Sequence, residues 1–198
     1  MRLFILIRHA HSTLNVEGRV NGDPAVPVPL TDEGRDEAAR LGHQLRELRI
    51  DLCVHTRFAR TTETAHCILD GRDVPYLQEP LLDDVKIGDL EGEPIANYRA
   101  WKRAHTRADL FPGGESLDDA ARRYARAFAK LLERDEPVTL VVCHEIPVRY
   151  ALNAAAGSGD LDAPEHGIPN AMPYLFDDVT LARAVKGIEA IVTNSIGR

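Results

Sequence analysis

Cysteine is scarce in this chain, with three in 198 residues, at Cys53, Cys67 and Cys143. Their number is odd, their spacing is wide and no C-x-x-C pair occurs. That argues against a disulfide framework and a paired-thiol redox site, and leaves reduced, mostly buried thiols of a cytoplasmic protein. Basic charge is also in short supply. Lys and Arg number 24 against 31 Asp and Glu, a formal net charge of −7. This argues against generic nucleic-acid binding, which needs a basic footprint, while a local basic pocket for an anion stays open. No apolar stretch approaches the roughly 18–20 residues that span a bilayer. The N-terminus lacks the long apolar region of a secretory signal. No internal repeat or low-complexity tract is present. What is left is one globular domain, 1–198, long enough to bury a sizeable core.

The chain is organised around residues 3–15, LFILIRHAHSTLN. The apolar run Leu3 to Ile7 reads as a strand buried on both faces of a sheet. It ends abruptly in Arg8-His9-Ala10-His11-Ser12. Open α/β sheets bind ligands beyond the carboxyl ends of their strands. An arginine, two histidines and a serine are thus delivered where such a fold does chemistry.

Gly18, Gly22, Pro24, Pro27 and Pro29 mark residues 16–30 as a loop. Thr31 caps a helix through about residue 48, with Asp32 and Glu33 at its positive end and Ala38, Leu41, Leu45 and Leu48 on its buried face. A strand is expected over 50–54, a helix over 59–70, a strand over 74–77, a loop over 82–92 and a helix over 94–108. Ser116-x-x-Asp119 is a capping-box pattern in front of an apolar face of Leu117, Ala120, Ala121, Tyr124, Phe128, Leu131 and Leu132. Val138 to Cys143 is a second continuous apolar strand, again followed by histidine, His144. Pro147 suits the first turn of the helix after it, which stops near Gly157. Residues 158–173 read as loop, and 174–176, 179–185 and 188–192 as closing strands. Alternating strands and helices predict an α/β fold with a largely parallel sheet.

Arg8-His9, Ser12 and Asn15 resemble the R-H-G-E-[ST]-x-x-N signature of the histidine phosphatase (phosphoglycerate mutase-like) superfamily, branch 1, with Ala10 and His11 in place of the usual glycine and glutamate. Three further matches follow in order. Arg60 to Ala65 resembles R-x-x-[QE]-T-A. Leu82, Asp84, Gly88, Glu91 and Gly92 resemble the family's acid loop. Val141 to His144 resembles V-x-x-H, although Glu145 and Ile146 stand where two small residues are usual. Gly18 to Gly22 also resembles the family's pocket loop.

The resemblance implies a three-layer α/β/α sandwich. It makes His9 a phosphoryl-accepting nucleophile, its second ring nitrogen donating to a backbone carbonyl. Arg8 and Arg60 then present planar forks to phosphate oxygens. Asn15 adds a neutral donor, Asn21 and Gly22 line the substrate pocket, and His144 adds a donor and, when protonated, a charge. Asp84 protonates the leaving oxygen and then deprotonates water, which requires a raised pKa. The expected partner is a small phosphorylated substrate; no cofactor, metal, nucleic acid or membrane is implied, and a homodimer is left open.

Each residue also has a plainer reading. Asn15 can bond its own turn, the basic stretch 99–107 can be a solvated helix face, and Tyr98 and Trp101 can be core. His11 has no settled role. Three other activities compete with a phosphatase. A phosphoglycerate mutase needs the E-R-x-Y-G segment after the acid, which is missing here. A metal-dependent hydrolase is suggested by His9-x-His11, but its barrel typically needs about 250 residues. The third alternative is a phospholigand-binding module without turnover.

Overall fold

The structure, a computed structural model, describes residues 1–163 and 167–194. Its centre is a five-stranded sheet. The strands are β1 (Leu3–Arg8), β2 (Leu52–His55), β3 (Tyr76–Gln78), β4 (Val138–Cys143) and β5 (Pro173–Asp177), in the order β3-β2-β4-β1-β5. β1 to β4 run parallel, and β5 closes one edge antiparallel to β1. Among the described residues there are seven α-helices. They are α1 (Thr13–Val16), α2 (Asp32–Gln44), α3 (Ala59–Ile68), α4 (Ile95–Ala104), α5 (Leu117–Leu132), α6 (Glu145–Ala155) and α7 (Asp178–Asn194).

The continuous apolar runs of β1 and β4 follow from burial on both faces. Phe4 and Leu6 of β1 join one apolar cluster with residues of α5, α6 and α7. Ile5 and Ile7, pointing the other way, join a second cluster with Ala38 and Leu41 of α2 and Ala65 and Ile68 of α3. The fold is therefore the α/β/α sandwich. β1 and β4 are paired so that Arg8 faces Cys143 across the ladder. The residues that follow, His9 and His144, leave the sheet at the same height.

Several elements differ from the sequence reading. α2 stops at Gln44 instead of about 48; the next carbonyls, Leu45 and Leu48, are taken by Arg72. β3 starts at Tyr76 because Pro75 has no N–H for the ladder, although its carbonyl accepts from Cys53. Residues 82–92 are loop with short 3-10 turns at Pro80–Leu82 and Gly88–Leu90. The expected loop 158–173 includes residues 164–166, which lie outside the described residues.

The largest correction concerns 179–185 and 188–192, expected as strands. They are helix α7. Leu181, Ala184, Val185, Ile188 and Val192 are all buried, and their three- and four-residue spacing is that of one helix face. Thr180 N donates to Asp177 Oδ1 and Asp177 N to Thr180 Oγ1, each at 2.8 Å, a reciprocal cap that starts the helix directly from β5. Gly187 lets α7 lie close on α6: a Cβ there would sit 2.9 Å from Ala154 O.

Candidate active site

His9 follows β1 and is 4% exposed. Its Nδ1 lies 2.8 Å from Ala10 O. A carbonyl only accepts, so Nδ1 carries the proton and Nε2 keeps a free lone pair. Burial, followed by the charges of Arg60 and Arg8, holds the His9 pKa well below its ordinary value. The turn is fixed from behind by Thr64 Oγ1, which accepts from Ala10 N at 3.0 Å, and by Asn170 Nδ2, which donates to His9 O at 2.7 Å.

His144 follows β4, is fully buried, and lies with its ring centroid 5.6 Å from that of His9. Its pKa is also well below the ordinary value, through burial and then Arg60. Arg60 sits in the first turn of α3 over the Phe58 ring, 4.3 Å from its centroid. Its guanidinium donates to Asn21 Oδ1, to Asn21 O at 3.2 Å, to Asp84 Oδ2 at 3.1 Å and to His144 Nδ1 at 3.2 Å. Four of the sequence-nominated residues thus form one cluster.

Asp83 and Asp84, adjacent in sequence, are separated by the structure. Asp83 is buried and held by Arg57, with the Arg57 Nε to Asp83 Oδ2 bond at 2.6 Å. Asp84 faces Arg60 and His144, and its Oδ2 is 3.5 Å from His144 Nδ1. Burial pushes the Asp84 carboxyl above its ordinary pKa, against the opposing pull of Arg60. Beside it opens a cleft of about 510 Å³ lined by Gly22, Asp23, Arg57, Asp84, Glu91 and Arg123, among others.

Arg8 is turned partly away. Its NH1 donates to Ile168 O at 2.6 Å and pairs with Glu145 at 2.9 Å, and its buried Nε has no partner. Asn15 uses its carboxamide oxygen on Ser12, accepting from Ser12 N at 3.1 Å and Oγ at 2.9 Å. Asn21 Nδ2 donates to Glu91 Oε1 at 2.6 Å. Gly22 packs backbone to backbone: a Cβ there would meet Val85 O at 2.2 Å. His11 anchors the neighbouring helix, its carbonyl accepting from Thr31 N at 3.0 Å. In the basic stretch, Lys102 pairs with Asp162 at 3.0 Å and Arg107 with both Asp118 and Asp162. Tyr98 and Trp101 pack on Phe111.

Sequence reasoning missed the supports. Arg123, on α5, donates to the carbonyls of Leu81, Asp83 and Asp84 at 3.0, 2.6 and 2.7 Å, and fixes the acid loop. Thr56 takes His144 Nε2 at 3.0 Å. Nothing in an amphipathic helix marks one surface arginine as a loop anchor.

A neutral imidazole with a free lone pair, an arginine beside it and a carboxyl with a raised pKa suit phosphoryl transfer. A family model described as the histidine phosphatase superfamily (branch 1) matches residues 4–177. The chain belongs to that superfamily. This superfamily member is 34% identical over 140 residues to the 2,3-bisphosphoglycerate-dependent phosphoglycerate mutase 2 of Gloeobacter violaceus, covering 65% of this chain and 62% of the mutase. It is 32% identical over 139 residues to the adenosylcobalamin/alpha-ribazole phosphatase of Salmonella typhimurium, covering 66% of this chain and 67% of that protein. Among solved structures, Bacillus stearothermophilus YhfR superposes with a TM-score of 0.79 at 26% identity, covering 89% of this chain and 91% of the other. These relatives include both phosphatases and mutases. Among the described residues, no helix is long and apolar enough to cross a membrane, and no group of three or more His, Cys, Asp or Glu is placed to hold a metal.

Proposed function

We propose that this histidine phosphatase hydrolyses a small phosphomonoester through a phosphohistidine on His9, within one domain and in the cytoplasm. The observation that carries the reading is the tautomer of His9. With Nδ1–H committed to Ala10 O, the Nε2 lone pair is free for in-line attack. Phosphorus bonds to Nε2 as the bond to the leaving oxygen breaks. Asp84 gives its proton to that oxygen and becomes a carboxylate. Water then attacks the phosphohistidine, Asp84 takes back a proton, and inorganic phosphate leaves with His9 restored. Arg60 and the uncommitted side of Arg8 neutralise the equatorial oxygens. His144 is neutral as it stands against Arg60; a phosphate dianion beside it favours the protonated form, which adds charge when it is needed. No metal or other cofactor takes part in this route. Asn15 contributes through the nitrogen end of its carboxamide. Asn21 and Gly22 act by holding Arg60 and shaping the cleft wall.

The test is phosphate release from a panel of phosphomonoesters in the presence of EDTA, for wild type and His9→Ala. Release that survives EDTA and is lost in the variant is the expected result. Interconversion of 2- and 3-phosphoglycerate with little phosphate release would establish a mutase instead. Activity lost to EDTA and restored by zinc would overturn the covalent route.

A further inference from the structure

Carboxylates sit close to the residues nominated for the site. Glu145 is the first residue of α6, directly after His144. Its Oε2 is 2.9 Å from Arg8 NH1, while its other oxygen accepts from Arg149. The side chain is 30% exposed, so it borders open space. Its charge reaches the site, since it is among the influences that raise the Asp84 pKa. The position is therefore occupied by a carboxylate that already holds one arm of Arg8.

Glu91, which lines the cleft beside Asp84, is a second carboxylate held in place. Its carboxylate accepts from Gly22 N at 2.7 Å, Asp23 N at 3.0 Å and Asn21 Nδ2 at 2.6 Å. Two successive backbone N–H groups and a carboxamide make a concavity suited to an anion, and the chain fills it with its own carboxylate. The neighbouring cations are similarly committed. Arg57 is held by Asp83, Arg123 by Glu115, and Lys102 and Arg107 by Asp162. Lys86 is exposed at the rim, where solvent and salt screen it.

We propose that Glu145, supported by Glu91, selects phosphomonoesters whose leaving alcohol carries no second acidic group. This rests on the phosphomonoesterase reading above. A phosphate dianion still finds Arg60 and the unpartnered Nε of Arg8. A carboxylate or second phosphate on the leaving group meets two fixed carboxylates, and among the described residues of the cleft lining the cation outside an ion pair is the exposed, solvent-screened Lys86. Like charges juxtaposed in a partly buried site are strongly disfavoured. Glu145 thus acts as a specificity-determining residue, and as a positioning residue for Arg8.

Glycerol 3-phosphate and 3-phosphoglycerate test this directly. They differ in one group, a hydroxymethyl in place of a carboxylate. Wild type is expected to favour glycerol 3-phosphate in kcat/KM by about tenfold or more. Glu145→Gln, which keeps the size and removes the charge, should narrow the ratio at least ~3-fold whatever its absolute rate. A wild-type ratio near one, a preference for the acid, or a ratio unchanged in Glu145→Gln would overturn the proposal. His9-dependent turnover of p-nitrophenyl phosphate, measured alongside, reports separately on the phosphatase reading. Should neither compound turn over, the affinities of His9→Ala for the two by calorimetry make the same comparison. Tighter binding of the neutral compound supports the proposal, and equal or reversed affinity overturns it.

Discussion

Arg60 donates to Nδ1 of His144 at 3.2 Å. A guanidinium cannot accept, so that ring nitrogen bears no proton and His144 is neutral, with Nε2–H directed at Thr56. The same arginine touches Asp84 and Asn21. One buried cation therefore adds to the burial that keeps a histidine neutral, opposes the raised pKa of a carboxyl and holds the pocket loop.

Acid should destabilise the fold through its two neutral histidines. His9 and His144 have folded pKa values well below the ordinary value of about 6.5. The unfolded chain binds protons there that the folded chain does not. Their contribution is complete above about 6.5 and drains as pH falls below it. Asp84, with a raised folded pKa, has the opposite sign, but it is one group against two. Thermal melts should shift down between pH 7 and 5, with a smaller shift in His144→Gln. A pH-independent melting temperature across that range would contradict the assignment.

Asp84→Asn should separate substrates by leaving group. An alkyl phosphate needs a proton on its departing oxygen, and the loss is expected to be about 10²–10⁴-fold in kcat/KM, which reports the first phosphoryl transfer and not the hydrolysis step common to all substrates. p-Nitrophenolate leaves unaided, so its loss should be much smaller. An equal loss on both would mean that Asp84 acts through Arg60 and not as the acid.

Arg123→Met should unfix the acid loop. It removes the donor from three carbonyls and leaves a mostly buried Glu115 unpaired. Breaking such a pair costs about 3 kcal/mol. Denaturant titration should show that loss, and kcat should fall more than KM rises, because Asp84 is displaced while Arg60 stays.

Gly22→Ala should cost activity with the fold intact. Its Cβ would sit 2.2 Å from the backbone oxygen of Val85, next to Asp84. Neither side has a rotamer to give, so the loop must shift. A fall of about 10–100-fold in kcat with native circular dichroism is expected. Full activity would show that the two loops separate freely.

The strand β1 was legible because its signal is local: a continuous apolar run breaking into Arg8-His9. The pairing of His9 with His144 was not, since it depends on the register of β1 with β4. Asp84 is set apart from Asp83 in the sequence only by the acid-loop resemblance; the physical distinction, Arg57 on one and Arg60 on the other, lies in the structure. α7 was misread because Val and Ile outweighed its helical spacing, although Asp177-x-x-Thr180 was there as a start signal. Thr56, Asn170 and Arg123 leave no local trace, because each acts on a residue distant in the chain.

β4 lies between β1 and β2 in the sheet, yet it comes late in the chain. During synthesis, the Arg8-His9 and Arg60 segments emerge long before the strand that must separate and align them. A ribosome-bound chain ending before Val138 lacks the spacer that sets the distance between its two arginine-bearing loops.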